Sequence, residues 1–178
     1  MQNELDIVRN VSQLLESASI GYMLTGSMAM NFYAEPRMTR DIDVVVALSG
    51  GDAGRIVNLF SPDYIVSREA VDSSIAHHSL FNLVHKESII KVDFIVRKRT
   101  EYRLHEFNRR RRVKIDSFET WIVSKEDLIL SKLLWAKDSH SEFQLRDVRN
   151  LLTSGCDRAY IESWTTPLDL ANLWEEVA

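Results

Sequence analysis

Asp41 and Asp43 lead directly into Val44-Val45-Val46-Ala47-Leu48, and no other stretch constrains the fold of this chain as strongly. β-Branched side chains in succession are stiff at χ1 and suit a pleated, buried surface, so the run predicts an interior strand. Side chains alternate across a strand, which places the acids at i and i+2 on the same face. Two carboxylates held side by side repel each other. The pair therefore calls for a cation, and hard divalent ions such as Mg²⁺ take carboxylate oxygens while leaving positions for water and substrate phosphate.

A third acid stands in a similar setting. In Ile90-Lys91-Val92-Asp93-Phe94-Ile95-Val96, alternation puts Lys91, Asp93 and Ile95 on one face and the other four on the opposite one. A carboxylate inside such an apolar run is costly unless it is compensated. If the two strands lie side by side, Asp41, Asp43 and Asp93 converge, and the trio is suited to two ions about 4 Å apart, the spacing of in-line phosphoryl displacement. The simpler alternative is a salt bridge from Asp93 to Lys91 or to an arginine.

Upstream, Tyr22-Met23-Leu24 reads as a short strand entering Thr25-Gly26-Ser27, and Met28 to Ala34 is free of Pro and Gly and reads as a helix. In this strand, turn and helix, the glycine permits close backbone approach, and the helix start offers free N–H groups and a positive dipole end to an anion. The Ser27 hydroxyl is a further donor, or simply a cap for the helix. The turn suits a triphosphate tail.

Together, Gly26-Ser27, Arg37-x-Thr39-x-Asp41-x-Asp43 and the distant Asp93 resemble the signature of the nucleotidyltransferase superfamily typified by DNA polymerase beta, over roughly the first half of the chain. Within it, the spelling around the acids and the C-terminal helices are similar to small bacterial proteins grouped with AbiEii-type abortive-infection toxins. The resemblance implies that Gly26 and Ser27 hold nucleotide phosphates, that Asp41 and Asp43 ligate metal, and that Asp93 ligates one metal and helps activate the acceptor. Lys132 shares a helical face with apolar Leu128 and Trp135, so its ammonium either snorkels to solvent or finds an anion; the resemblance makes it a triphosphate or base contact, and Asp147 the group that orients it or assists the acceptor. Arg37 matches the motif as a phosphate contact, whereas Arg40 is as readily a surface residue. The implied cofactor is Mg²⁺, two ions, with a nucleoside triphosphate as substrate. The implied acceptor is an RNA, a protein or a small molecule such as an antibiotic, and a cognate antitoxin or toxin is the implied protein partner.

The fold class expected is α/β (α+β): a mixed β-sheet flanked by helices, with a catalytic core over 1–123 and a helical C-terminal subdomain over 124–178. The opening segment carries an apolar stripe through Leu5, Val8, Ser12 and Leu15, with Ile7, Val11 and Leu14 beside it. Pro36 ends the second helix, Ser49-Gly50-Gly51 breaks the Asp-bearing strand, and 53–60 reads as a helix before Pro62. A short strand and a helical segment are expected within 64–78, strands at 80–85 and 89–96, a short helix within 100–108, and a basic strand over 109–115. Trp121-Ile122-Val123 is a further apolar stretch. Ser124 with Asp127 resembles a capping box opening a helix at 128–137, and helices follow at 142–152, 158–164 and 168–177.

With 178 residues, 45% of them hydrophobic, the chain is long enough for a sound core. It shows neither a charged-then-apolar leader nor an apolar stretch of about 18 residues, so no membrane segment is expected and a cytoplasmic location is. Cys156 is the single cysteine, a packing residue rather than a nucleophile, and His77, His78 and His85 lack the spacing of a zinc set. A net charge of −4 argues against broad coating of nucleic acid. The run Arg109 to Arg112 reads first as a solvated face and second as an RNA-backbone contact. Three functional classes remain open: a metal-dependent nucleotidyltransferase, a nucleotide-binding or antitoxin-like module of the same fold without turnover, and an RNA-binding accessory protein.

Overall fold

The valine run does become an interior strand. In the computed structural model, which describes residues 2–178, the chain runs α1 (Glu4–Ser17), β1 (Tyr22–Thr25), α2 (Gly26–Tyr33), β2 (Ile42–Val46), α3 (Ala53–Phe60), β3 (Tyr64–Ile65), α4 (Arg68–His77), β4 (Leu80–His85) and β5 (Lys91–Val96). It continues through α5 (Glu101–Asn108), β6 (Arg111–Ile115), β7 (Phe118–Ile122), α6 (Lys125–Ser139), α7 (Glu142–Leu152), α8 (Arg158–Thr165) and α9 (Ala171–Val177).

All seven strands join one mixed sheet in the order β3-β4-β5-β2-β1-β7-β6. β2 lies at its centre, antiparallel to β1 and parallel to β5. The buried cluster continues from the sheet through Leu128, Leu133, Val148, Ile161 and Trp174, so the C-terminal helices share the core of the strands. Val44, Val46, Val92, Phe94 and Val96 are all buried, which is what their alternation predicts. No helix among the described residues is long and apolar enough to cross a membrane.

The helices are fixed by local chemistry. Asn3 and Asp6 exchange hydrogen bonds in a capping box at the start of α1. Its buried stripe is Ile7, Val8, Val11, Ser12 and Leu15; Leu5, expected in the stripe, is turned outward, because Ile7 and Val11 centre the apolar face one position further round. Ser124 caps α6 through the N–H of Asp127. The expected reciprocal bond is not the one formed: the Asp127 carboxylate, fully buried, accepts from Ser124 Oγ (2.6 Å), Tyr160 Oη (2.6 Å) and Arg109 Nε (3.0 Å).

Several boundaries differ from expectation: α6 starts three residues early at Lys125 and the basic strand two residues late at Arg111, and four others have a visible structural reason. α2 begins at Gly26, two residues early, because the glycine adopts a left-handed φ of 62° that turns the chain straight from strand into helix. β5 begins at Lys91, since Ile89 sits in the preceding turn with φ 58°. The apolar 121–123 stretch is the end of a full strand, β7, that forms a hairpin with β6 and lies parallel to β1. The final helix starts at Ala171, three residues late, after a turn in which Asp169 has φ 55°.

Candidate active site

The acids come together because of strand register. Asp43 on β2 stands directly opposite Asp93 on β5, and Thr25 at the end of β1 stands opposite Asp43 from the other side. The chain leaves β1 at Thr25 and enters α2 at Gly26, so the helix start lies beside the acid pair. One cleft of about 310 Å³ is lined by Gly26, Ser27, Arg37, Asp41, Asp43 and Asp93, and by Lys91, Lys132, Trp135, Phe143 and Gln144. Of the residues singled out in the sequence, only Asp147 lies outside this lining, and it touches two residues that belong to it.

Gly26 is required by Asp43. A Cβ built at Gly26 would overlap the Asp43 carboxylate, 2.9 Å from its Cγ, and the positive φ disfavours any L side chain there. The space a side chain would occupy is thus filled by the acid itself, and the helix start and the carboxylate are in van der Waals contact. Ser27 does not cap the helix, which the backbone enters through Thr25 without a side-chain cap. Its hydroxyl instead accepts from Arg37 Nη2 at 2.6 Å.

Behind the cleft, Asp147 on α7 organises the cations. Arg37 donates from Nε (3.2 Å) and Nη2 (3.0 Å) to its two oxygens, and Lys132 Nζ donates to Asp147 Oδ2 at 2.7 Å and to Gln144 Oε1 at 3.1 Å. Arg37 is further fixed by a reciprocal backbone pair with the Asn31 side chain and by the Phe143 ring, 4.3 Å from its guanidinium carbon. Lys132 does not snorkel to solvent; it is 3% exposed. Burial lowers its pKa, against the pull of Asp147. Burial would raise the Asp147 carboxyl, but the bonds from Arg37 and Lys132 hold it below its ordinary value.

The acids carry surplus negative charge. Asp43 is pushed up to about 6, by burial first and then by the charges of Asp93 and Asp41, with Lys132 and Lys91 opposing. Asp93 has a partner on each oxygen: Asn82 on the adjoining strand donates to Oδ1, and Lys91 Nζ lies 3.1 Å from Oδ2. The salt-bridge alternative is therefore realised, in the same cleft as the acid trio. Among the described residues, no group of three or more His, Cys, Asp or Glu side chains is arranged to hold a metal ion. The expected convergence of all three carboxylates is thus met in register and in shared lining, but not in ligand geometry, because Asn82 and Lys91 hold the Asp93 carboxylate. The donor set, the carboxylate oxygens of Asp41, Asp43 and Asp93, fits a hard divalent cation.

A second lobe of about 420 Å³ continues along the sheet face beyond the acids, past Val45, Ile95, Leu128 and Trp135 to the Arg103, Glu106 and Ser131 cluster. Gly26, Asp43, Lys132 and Trp135 line both lobes. Sequence reasoning missed Asn82, Phe143 and Gln144 as site residues. Phe143 and Gln144 precede Asp147 by four and three residues on one helix, a same-face spacing that offered a signal. Asn82 offered none, since it is placed by cross-strand register alone.

The Arg109 to Arg112 run is not a uniform solvated face. Arg109 pairs with buried Asp127, Arg110 packs against Phe107 and Trp121, and Arg112 pairs with Glu119 and Glu16.

No protein-family model and no curated protein matches this sequence. Solved structures do. The chain is similar to the antibiotic-resistance factor ANT(2'')-Ia, with a TM-score of 0.66 at 12% identity over 97% of this chain and 95% of that one. It is similar to an antigenic nucleotidyltransferase-like protein from Paracoccidioides brasiliensis, with a TM-score of 0.58 at 20% identity over 85% of this chain and 75% of that one. The lincosamide antibiotic adenylyltransferase LnuA gives a TM-score of 0.56 at 16% identity over 85% of this chain and 98% of that one. At such identities the likeness is one of fold, and with its central β2 flanked by β1 and β5 this chain is built on the nucleotidyltransferase fold.

Proposed function

We propose that this chain is a divalent-metal-dependent nucleotidyltransferase, moving a nucleoside monophosphate from a nucleoside triphosphate to an acceptor hydroxyl with release of pyrophosphate. The observation that carries the reading is the register of Asp43 opposite Asp93, with Asp41 and the Gly26-Ser27 turn lining the same cleft. The fold shared with LnuA, an adenylyltransferase, agrees with it.

In this reading Asp41, Asp43 and Asp93 would hold Mg²⁺, with the Asp93 carboxylate exchanging Lys91 or Asn82 for the ion, which would supply charge neutralisation for the triphosphate and a more acidic acceptor hydroxyl. The free N–H groups at the start of α2 and the Ser27 hydroxyl bind phosphate oxygens. Arg37 and Lys132 add positive charge there, held by Asp147, so that little reorganisation is needed as charge develops. Asp147 acts through these two residues and is a positioning residue. Asp93, nearest Lys91, faces the acceptor and takes part in removing its proton.

The test is incubation with each labelled nucleoside triphosphate, Mg²⁺ and a mixture of cellular RNA, protein and small hydroxylated compounds. Transfer should occur with the native chain and disappear with Asp41→Ala and with Asp93→Ala; transfer that survives both overturns the assignment. A second reading, a module that binds nucleotide without turnover, draws on the Lys91 ammonium 3.1 Å from Asp93, where it offsets the third acid. It predicts nucleotide binding by the native chain, no transfer, and no gain in affinity from Mg²⁺. The AbiEii-type toxin role belongs to the first reading, with an RNA or a protein as the acceptor.

A further inference from the structure

Beyond the end of the cleft, side chains from four elements stack into an alternating ladder of guanidinium groups and aromatic rings. Arg97 lies immediately past the end of β5, four residues or roughly 13 Å beyond Asp93, and it lines the second lobe. Its guanidinium carbon lies 4.8 Å from the Phe107 ring centroid, and that of Arg110 lies 4.2 Å from the same ring. Arg110 is also 4.8 Å from the Trp121 ring, and Arg112 is 5.8 Å from it. Three cations thus follow one another from the mouth of the cleft across the sheet towards β6.

The cations nearest the cleft lack acidic partners. Neighbouring Arg103, Arg109 and Arg112 each have a carboxylate within salt-bridge distance. Among the described residues Arg97, Lys98, Arg99 and Arg110 have none, in a chain with 26 acidic and 22 basic residues, where acids are not scarce. The Nε atoms of Arg97 and Arg110 are buried and without a hydrogen-bond partner, two of the three side-chain atoms in that condition among the described residues. Burial lowers both arginines, and each is lowered further by an arginine neighbour. The rings hold the guanidinium groups in place, while no carboxylate neutralises their charge, which is left for an anion from outside.

We infer that Arg97 and Arg110, with exposed Lys98 and Arg99 at the cleft end, track the phosphodiester backbone of a single-stranded polynucleotide whose end reaches the acids. A row of cations, half-buried at Arg97 and Arg110 and exposed at Lys98 and Arg99, suits a chain of regularly spaced phosphates rather than a single small anion. Because it names the acceptor, this inference rests on the nucleotidyltransferase reading. The basic run noted in the sequence contributes Arg110, since Arg109 is taken by Asp127 and Arg112 by Glu119 and Glu16.

The test is fluorescence anisotropy with 5′-labelled single-stranded RNA and DNA of about 12 nucleotides, alongside nucleoside triphosphate binding without polynucleotide. The native chain should bind at least one of the strands with an affinity that falls steeply with salt. Arg97→Gln/Arg110→Gln should weaken binding by roughly tenfold or more and reduce the log–log salt slope by about 1.4, near 0.7 for each lost phosphate contact. Lys98→Glu/Arg99→Glu, on exposed positions where folding is not at stake, should weaken it likewise. Arg99 and Arg110 line neither lobe, so Arg99→Glu and Arg110→Gln should keep nucleoside triphosphate affinity. No strand binding, an unchanged salt slope in both double variants, or displacement of strand by equimolar inorganic phosphate overturns the inference. Strand binding lost in these variants without any nucleotide transfer by the native chain keeps the ladder and overturns the catalytic reading; transfer to small hydroxylated compounds without strand binding does the reverse.

Discussion

Arg37 and Asp147, 110 residues apart in the chain, form a two-point ion pair in which Nε and Nη2 of the arginine each reach one oxygen of the carboxylate. The same Nη2 reaches the Ser27 hydroxyl, and the same carboxylate receives Lys132. One acid from the C-terminal helices thereby sets the geometry of both cations at the cleft and, through Arg37, of the serine at the helix start.

Asp147→Ala should destabilise the protein severely. It leaves the Lys132 ammonium buried without its carboxylate, and breaking a buried pair on one side costs about 3–5 kcal/mol. Urea denaturation at pH 7 measures the loss, and Lys132→Met/Asp147→Leu should recover much of it. A loss under about 1 kcal/mol for Asp147→Ala would show that the pair is not buried as described.

Asp43 should make the metal-free protein less stable as pH rises. Its folded pKa, about 6, lies above the ordinary 3.8, so the folded state binds the proton more tightly than the unfolded chain. Stability attributable to this group is complete below about pH 4 and declines as pH passes through 6, by up to ~3 kcal/mol. Asp43→Asn should therefore be more stable than the native chain at pH 7.5 in EDTA and equal to it near pH 4, as read by thermal unfolding. A variant that is less stable at pH 7.5 contradicts this origin of the shift.

Gly26→Ala should cost activity more than stability. The new methyl group displaces the Asp43 carboxylate, and a displacement of about 1 Å at a reacting centre lowers rates by roughly 100-fold. Steady-state transfer assays compare the two proteins, and circular dichroism verifies the fold. Activity within a factor of about three of native would mean that Asp43 can move aside freely.

Arg37→Lys keeps the charge and loses the fork. A lysine presents a point charge and cannot reach two carboxylate oxygens and a serine hydroxyl together. The expected result is a fall in kcat/KM for the nucleoside triphosphate of roughly 10–100-fold, or about 1.4–2.7 kcal/mol of transition-state stabilisation. An unchanged kcat/KM would remove Arg37 from the phosphate site.

Much of this site was legible along the chain because its parts are local. Gly26-Ser27 between a strand and a helix, and Asp41 and Asp43 at the head of a valine-rich strand, are short-range patterns whose geometry follows from backbone sterics and strand alternation. The alternation in 90–96 likewise placed Asp93 opposite the buried face of its strand. Lys132 stood out as an ammonium on an apolar helical stripe and Asp147 by resemblance; nothing in their spacing showed that they touch each other and Arg37.

What the sequence determined by itself is the identity of the elements and the face on which each acid stands, since periodicity and steric preference act over a few residues. Only the tertiary structure decided the pairing of β2 with β5, the strand nature of the 121–123 stretch, the partners Asn82 and Lys91 on Asp93, and the stacking of Arg97 and Arg110 around Phe107. These depend on which strands become neighbours and in what register. That choice is made by burial of the whole apolar surface at once, a sum over distant residues that no local window of the chain contains.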